Sequence, residues 1–176
     1  QLIQQSARTD DGDVHFVLGM EIRRIRERRE LYISSQEKVK AMLKDFNMAD
    51  CSPSSTPMDS NQLTANDSPE PNSAEWLEMT KVPYKECVGR ILHLMRTSRP
   101  DLTYAASTVS RFMHNPGMKH WNAVKRILRY LKGTLHYQLR LSSAPIDTNE
   151  SPPSQVELYG HSDADWGHLK EDGKST

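Results

Sequence analysis

Apolar and polar residues alternate near the N-terminus of this 176-residue chain. Five apolar residues occupy every second position: Val14, Phe16, Leu18, Met20 and Ile22. This period of two predicts a strand over residues 14–25 with one buried face. The charged residues 26–30 predict a turn, and alternation resumes at Leu31 and Ile33, so the whole segment predicts a β-hairpin.

Four later segments carry apolar residues at three- and four-residue spacing, which predicts four helices. Ser34 and Glu37 precede the first of them at capping-box spacing. Gly133 follows the last one, where a left-handed C-terminal cap is expected. The predicted buried faces are Val39, Met42, Leu43 and Phe46; Val88, Ile91, Leu92 and Met95; Leu102, Ala105, Val109 and Phe112; and Trp121, Val124, Leu128 and Leu131.

Two stretches rich in Pro and Ser divide the chain and predict linkers. The composition therefore predicts an α+β fold with an N-terminal β-hairpin, a mainly helical region and a C-terminal strand. The predicted divisions are a hairpin and helix in 1–50, a flexible linker in 51–80, a helical region in 81–141, a second linker in 142–155 and a strand-containing segment in 156–176.

Charge is balanced overall, with 23 basic and 23 acidic residues, but it is unevenly distributed. Residues 102–146 contain no Asp or Glu, whereas acidic residues predominate over 147–172. Lys125, Arg129 and Lys132 recur at helical spacing, so they predict a cationic ridge that can contact a phosphate backbone. The alternative is an ordinary solvated helix face, which is the usual position of Lys and Arg.

Asp163 and Asp165 end the last alternating segment and stand two residues apart. On a regular strand they would share a face and could flank a divalent cation; the alternative is an acidic loop at a strand end. Cys51 and Cys87 lack the spacing of metal ligands and fit a reducing, intracellular setting. The chain has no apolar run of the length that spans a bilayer.

Several motifs, in this order, resemble the Pol polyprotein of copia-type LTR retrotransposons, from the C-terminal part of the reverse transcriptase into the start of the ribonuclease H domain. RPDLTY followed by RYLKGT and SDADW is the most specific combination. The matching segments are FVLGMEI (16–22), LYISSQ (31–36), FNMADCSPSSTPM (46–58), PYKECVGRILHLM (83–95), SRPDLTY (98–104), SRFMHNP (110–116), HWNAVKRILRYLKGT (120–134) and SDADW (162–166).

The resemblance implies roles for particular residues. Leu18 and Gly19 would lie in a primer-grip-like hairpin, and the 83–133 helices would form a thumb- or connection-like region around the template–primer duplex. Asp163 would be the first metal-binding carboxylate of the ribonuclease H domain, with Asp165 auxiliary. The implied nucleic-acid-binding residues are Leu18, Gly19, Lys125, Arg126, Arg129 and Lys132.

The family resemblance also implies partners, a cofactor and a location. The parent enzyme uses Mg²⁺, which this chain alone is not expected to hold stably. The expected partners are RNA or DNA of the template–primer and the remaining polymerase and ribonuclease H segments, with no membrane. The expected location is intracellular, in a cytoplasmic virus-like particle or the nucleus.

The polymerase Tyr-x-Asp-Asp motif is expected upstream of Gln1, and further ribonuclease H carboxylates downstream of Thr176. We therefore expect a fragment whose parent performs RNA-directed DNA polymerisation with ribonuclease H cleavage, while the fragment itself is inactive and limited to nucleic-acid binding. The alternatives are a non-functional remnant and a host-recruited nucleic-acid-binding module without catalysis.

Overall fold

The computed structural model describes residues 13–59 and 63–142. Within them a four-stranded antiparallel sheet accompanies five helices, which confirms the predicted α+β class. The strands are β1 Phe16–Val17, β2 Met20–Ile25, β3 Glu30–Ser34 and β4 Leu139–Ser142, in that order across the sheet. The helices are α1 Gln36–Asp45, α2 Ala74–Met79, α3 Tyr84–Thr97, α4 Thr103–Ser110 and α5 Met118–Gly133. The strand predicted in 156–176 lies outside the described residues.

The prediction of one continuous strand over 14–25 is wrong, because a tight turn at Leu18 and Gly19 separates β1 from β2. Val17 pairs directly with Met20, so the turn has only two central residues. Both have positive φ, 50° at Leu18 and 76° at Gly19, as in the type I′ turns that close two-residue hairpins. The predicted hairpin between β2 and β3 is confirmed, with Ile25 opposite Glu30 across the 26–29 turn.

Helices α1, α3, α4 and α5 enclose one hydrophobic core, because each presents the apolar face that its spacing predicted. Side chains that are fully shielded from solvent come from α3, α4, α5 and the turn before α4, and they include Val88, Ile91, Leu102, Val109, Val124, Ile127, Leu128 and Leu131. No hydrophobic residue of the described strands belongs to this core. The sheet is therefore attached to the helices mainly through polar and peripheral contacts.

The start of α1 is fastened to the end of α3 by a buried pair of serines. Ser35 is the N-terminal flanking residue of α1, and its hydroxyl accepts a hydrogen bond from the Ser98 hydroxyl at 2.7 Å. The predicted capping box at Ser34 and Glu37 is wrong, because the helix begins one residue later than that spacing requires. The Ser34 hydroxyl instead accepts from the Gln36 backbone N–H at 3.3 Å.

The described parts of the predicted flexible linker, residues 51–59 and 63–80, include α2, and several of their residues pack against the start of α5. The Met118 N–H donates to the Glu75 carboxylate at 2.8 Å, and Lys119 pairs with Asp67 at 2.7 Å. A Cβ on Gly117 would lie 2.1 Å from the Asp67 carbonyl oxygen, so only glycine allows this approach. Polar and backbone contacts order much of the segment, and its buried or half-buried apolar residues, Met58, Leu63 and Met79, follow no regular period, so apolar periodicity does not reveal it.

Nearby, the buried His120 ring stacks on Phe112 at 4.0 Å and contacts the Thr64 carbonyl oxygen at 3.2 Å. Burial lowers the pKa of His120, so the ring is held in its neutral form. None of the helices in the described part of the chain is long and apolar enough to cross a membrane.

Candidate nucleic-acid interface

The two most specific sequence motifs meet in space around the Arg99 side chain. Arg99 is only 3% exposed, and its guanidinium pairs with the Asp101 carboxylate at 2.7 Å. It also donates to the Thr134 carbonyl at 3.2 Å and the Thr134 hydroxyl at 2.7 Å. The Tyr130 hydroxyl donates to the same carboxylate at 2.9 Å. The RPDLTY and RYLKGT motifs therefore form one buried polar network, which connects the turn before α4 to the end of α5.

Burial works to raise the pKa of Asp101, but hydrogen bonding and ion pairing with Arg99 outweigh it, and the pKa is lowered overall. The Arg99 guanidinium also lies 5.5 Å from the Tyr130 ring centroid and 5.4 Å from that of Tyr137. The Arg99 guanidinium thus directs its N–H groups at partners within the chain. Arg99 and Asp101 therefore stabilise the fold, and their charges pair with each other and not with a ligand.

Two arginines of α5 that were predicted to bind nucleic acid, Arg129 of the ridge and its neighbour Arg126, contact their own chain. Arg129 Nε donates to the Ser52 carbonyl at 2.8 Å. Arg126 donates to the Thr56 hydroxyl at 2.9 Å and lies 3.8 Å from the Asp59 carboxylate. Both side chains hold residues 52–59 against α5. Some of their N–H groups are therefore bonded within the chain, and Arg126 also faces the Asp59 carboxylate.

The two lysines of the ridge are differently placed. The side chains of Lys125 and Lys132 form no hydrogen bond or ion pair with any residue the structure describes, and both residues are half-buried. Gly133 does not adopt the left-handed conformation predicted for it, because it is the last residue of α5. Its role is to leave room for the 52–59 segment: a Cβ there would lie 3.1 Å from Pro53 Cβ.

The Leu18–Gly19 turn forms an exposed apolar tip. Leu18 is 80% exposed and Phe16 is 62% exposed, although both are large hydrophobic residues. A bulky side chain at positive φ is strained, and such strain persists only where the surrounding structure imposes it. A Cβ on Gly19 would lie 2.5 Å from Lys38 Cε, so the turn rests directly on the Lys38 side chain.

From Lys38 a groove of about 420 Å³ continues between α1 and α3. Gly89 forms part of its wall, and nothing lies within 4 Å of the position a Cβ would take there. Lys85 and His93 stand one turn to either side of Gly89 on α3. The groove is therefore open and bordered by several basic side chains, together with the acidic Glu86.

Two basic side chains that line this groove, Lys38 and Arg90, have different partners. Lys38 Nζ lies 2.9 Å from His93 Nε2, which can accept its hydrogen bond in the neutral imidazole. Arg90 pairs with Asp45 at 2.5 Å and with Glu86 at 2.6 Å. Arg90 is therefore paired with two carboxylates, whereas the side chain that Lys38 contacts in the groove is an imidazole.

The sequence motifs did not single out the groove residues. The four-residue spacing of Lys85, Gly89 and His93 does place them on one side of a predicted helix, and that spacing could have indicated this part of the groove. Lys38, however, belongs to another helix, and only the packing of α1 on α3 brings it to the same place. The prediction for Leu18 and Gly19 concerns the neighbouring turn and stays a prediction.

Asp163 and Asp165 lie outside the described residues, so the metal site predicted there stays a prediction. Within residues 13–59 and 63–142, no three His, Cys, Asp or Glu side chains come together as metal ligands. The Cys87 thiol is fully buried in the core, and burial raises its pKa to about 12. Such a thiol is not a nucleophile at neutral pH.

Comparison with known proteins gives relatives of two kinds, although no family model and no solved structure matches the chain. The chain is 41% identical over 125 residues to the retrovirus-related Pol polyprotein from transposon TNT 1-94 of Nicotiana tabacum, covering 71% of this chain and 9% of that relative. It is 33% identical over 180 residues to the Pol polyprotein from transposon RE2 of Arabidopsis thaliana, covering 99% of this chain and 11% of the relative.

A relative with another name is the secreted RxLR effector protein 161 of Plasmopara viticola. It is 41% identical over 98 residues, which cover 56% of this chain and 63% of the relative. The chain spans about a tenth of the length of the Pol polyproteins it matches, 9% and 11% in the two cases above. The resemblance seen in the sequence motifs is confirmed: the chain is a homologue of one segment of the retrovirus-related Pol polyproteins of copia-type transposons.

Proposed function

We propose that this chain is the part of a copia-type reverse transcriptase that holds the template–primer duplex. The observation that carries the proposal is the basic groove between α1 and α3, which adjoins the exposed Leu18–Gly19 turn. The Pol polyprotein relatives support the same class of function. The parent activity would be RNA-directed DNA synthesis with ribonuclease H cleavage, and this chain would contribute binding.

The groove fits a phosphate backbone for three reasons. Its lysines, Lys38 and Lys85, supply positive charge, and such contacts dominate nucleic-acid affinity. Gly89 lets a strand approach the helix backbone closely, because no side chain stands in the way. The Leu18 side chain projects beside the groove, where it can pack on a sugar or base.

The ridge on α5 would provide a second, weaker contact. Lys125 and Lys132 are the members of the ridge with no described ionic partner, so they are the ones able to neutralise phosphates. Arg126 and Arg129 are engaged by residues 52–59 and would contribute less. In the parent enzyme, Mg²⁺ would be held by carboxylates that include Asp163 and Asp165, inside an intracellular particle or the nucleus.

The proposal predicts a specific pattern in a binding assay. Fluorescence anisotropy of the full chain with a labelled RNA–DNA hybrid should show affinity that falls steeply with salt, by about 0.9 in log K per tenfold salt for each phosphate contacted on B-form DNA. The double variant Lys38→Gln/Lys85→Gln should bind at least tenfold more weakly and reduce the salt slope by about 2, since two phosphate contacts are lost.

A matched control removes two lysines from the same region outside the groove, as Lys40→Gln/Lys81→Gln. This control changes net charge equally, so a local contact requires its affinity to stay within about threefold of the unmodified chain. Equal weakening by both double variants would show only a general charge effect. Binding that is absent at low salt would refute the proposal outright.

A second candidate function is a binding module that acts outside a polyprotein. It is favoured by the similarity to a protein named as a secreted RxLR effector, which shares 41% identity over 98 residues. The same assay separates the two: a module with another partner should show no preference for the RNA–DNA hybrid and no loss in Lys38→Gln/Lys85→Gln.

A further inference from the structure

The start of α5 is held by a histidine that uses both of its ring nitrogens within the chain. His120 is fully buried, and its Nδ1 accepts a hydrogen bond from the Gly117 backbone N–H at 2.9 Å. Because Nδ1 accepts, the single proton of the neutral ring is on Nε2, which donates to the Thr64 carbonyl oxygen at 3.2 Å. These two hydrogen bonds, called the His120 bridge below, join the start of α5 to the segment that begins at Thr64.

The His120 bridge has the geometry of half a capping box. Gly117 flanks the helix, and His120 is the third helical residue, whose side chain in a capping box reaches back to the flanking N–H. Glu or Gln usually stands at this position, and neither changes its charge near neutral pH. The reference pKa of histidine, in contrast, is about 6.5. Histidine therefore makes this end of α5 sensitive to pH.

Protonation of the ring is incompatible with the His120 bridge. A proton on Nδ1 would turn the acceptor of the Gly117 N–H into a donor, so two N–H groups would face each other. The imidazolium would also be buried at a helix N-terminus, where the helix dipole disfavours a cation. Burial accordingly lowers the pKa of His120 below its usual value. Protonation and opening of the bridge are therefore linked.

The acids nearest the ring already have partners. Asp67 pairs with Lys119 at 2.7 Å, and Glu75 on α2 accepts from the Met118 N–H at 2.8 Å. Burial works to raise the pKa of Asp67, but hydrogen bonding by Lys119 and Thr64 outweighs it, and the pKa is lowered overall. Asp67 thus stays ionised throughout the range in which histidine titrates. The positive charge of Lys119 further disfavours a second cation at His120.

The other side of the ring carries no carboxylate. Phe112 stacks on His120 with the ring centroids 4.0 Å apart, and the Arg111 guanidinium lies 5.6 Å from the Phe112 ring centroid. His114, in the same segment, is exposed, and residues 111–117 contain no Asp or Glu. An imidazolium at position 120 would therefore gain no ion pair from this segment.

We propose that His120 is a pH-sensitive switch, whose protonation releases the segment from Thr64 to Glu75 from the start of α5. The Gly117 and Thr64 hydrogen bonds are lost together, because both require the same neutral tautomer. The segment is then left with contacts that lie nearer the surface, among them the Asp67–Lys119 ion pair. This switch does not depend on the proposed duplex binding.

NMR of the full chain tests the state of the ring directly. Long-range ¹⁵N–¹H spectra should show proton on Nε2 and none on Nδ1 at about pH 7.5, and the ring should titrate below the reference value of about 6.5. Assignment through the backbone identifies His120 among the seven histidines. A proton on Nδ1 at that pH, or titration at or above the reference value, would overturn the proposal.

Native-state amide exchange then measures the opening, at amides such as those of Asp67, Ser68 and Gly117. Opening takes up one proton, so the opening constant should rise about tenfold for each pH unit between about 6.5 and the lower pKa of the closed ring. These amides should open at a lower free energy than those of α3, which require global unfolding. Equal free energies would make His120 a determinant of global stability only, which contradicts a local switch.

His120→Gln separates the switch from the cap. The Gln amide oxygen can accept the Gly117 N–H as in a capping box but takes up no proton, so the opening constant should vary by less than about twofold over the same pH range. His114→Gln is the matched control, because the exposed His114 side chain makes no hydrogen bond or ion pair with any described residue. It should keep the tenfold slope.

A slope that persists in His120→Gln, or that disappears in His114→Gln, would refute the assignment of the switch to His120. Should His120→Gln fail to fold, the tautomer and titration of the ring in the unmodified chain still decide, since they require no substitution.

Discussion

Single residues of the specific motifs act in this chain by holding its elements together. Arg99 and Asp101 from one motif and Tyr130 and Thr134 from the other make a buried network. A charge removed from water is tolerated only when it is paired and hydrogen-bonded, and each partner here depends on the others. These residues explain why the motifs occur together, but they do not touch the proposed interface.

Asp101→Asn tests this network. The substitution leaves the Arg99 charge buried without its carboxylate, and we expect it to lower the free energy of unfolding by about 2 kcal/mol at pH 7. The pKa of Asp101 is lowered from 3.8 by folding, so its stabilising contribution is complete above that value and is lost as pH falls through the folded pKa. The difference between variant and unmodified chain should therefore shrink below about pH 4, as measured by urea unfolding at several pH values.

Asp50→Asn is the control, since Asp50 is exposed and its carboxylate makes no hydrogen bond or ion pair with any described residue. It should change stability by less than about 0.5 kcal/mol at any pH. A pH-independent loss in Asp101→Asn would contradict the ionic explanation.

At the scale of elements, periodicity predicted four helices correctly because each buries one apolar stripe in a common core. It missed α2 and the packed 63–80 segment, because backbone and carboxylate contacts hold them. Periodicity also failed to predict the Leu18–Gly19 turn, because the alternation of apolar residues continues through the turn. The Lys38 side of the candidate site depends on two helices packing together, which local patterns do not encode.

The strained Leu18–Gly19 turn between β1 and β2 allows a prediction about stability and binding. Asn tolerates positive φ better than Leu, and Leu18 is 80% exposed and loses little burial on replacement. Leu18→Asn should therefore raise the free energy of unfolding by about 0.5–1 kcal/mol. If the strained leucine serves the duplex, the same variant should bind the RNA–DNA hybrid more weakly, as measured by anisotropy.

Leu77→Asn serves as the comparison, because Leu77 is 54% exposed but lies within a helix at negative φ. That variant should gain no stability and keep its affinity. A gain in stability without any loss of binding in Leu18→Asn would mean that the strain has no role at the interface.

For the whole molecule, the important division is between the helical core and the sheet. Hydrophobic burial is the main stabilising contribution in folding, and the described core draws it from α1, α3, α4 and α5. The sheet meets this core through peripheral contacts such as the one between Gly19 and the Lys38 side chain of α1. We infer that the sheet can open while the helices remain folded.

Native-state hydrogen exchange should consequently give two levels of protection. Amides in α3 and α5 should exchange only through global unfolding, and those in β2 and β3 should exchange at a lower free energy. Ile91→Ala, in the fully buried core, should lower the protection of α3 and α5 by about 3 kcal/mol and leave that of the sheet nearly unchanged, because the core stays packed when only the sheet opens. Ile22→Ala, at a half-buried position of β2, should lower both levels by a similar amount, because the contacts of Ile22 are lost in sheet opening and in global unfolding alike. Equal protection of sheet and helices would mean that they unfold as one unit, and the Leu18–Gly19 turn would then be as stable against opening as the core that supports it.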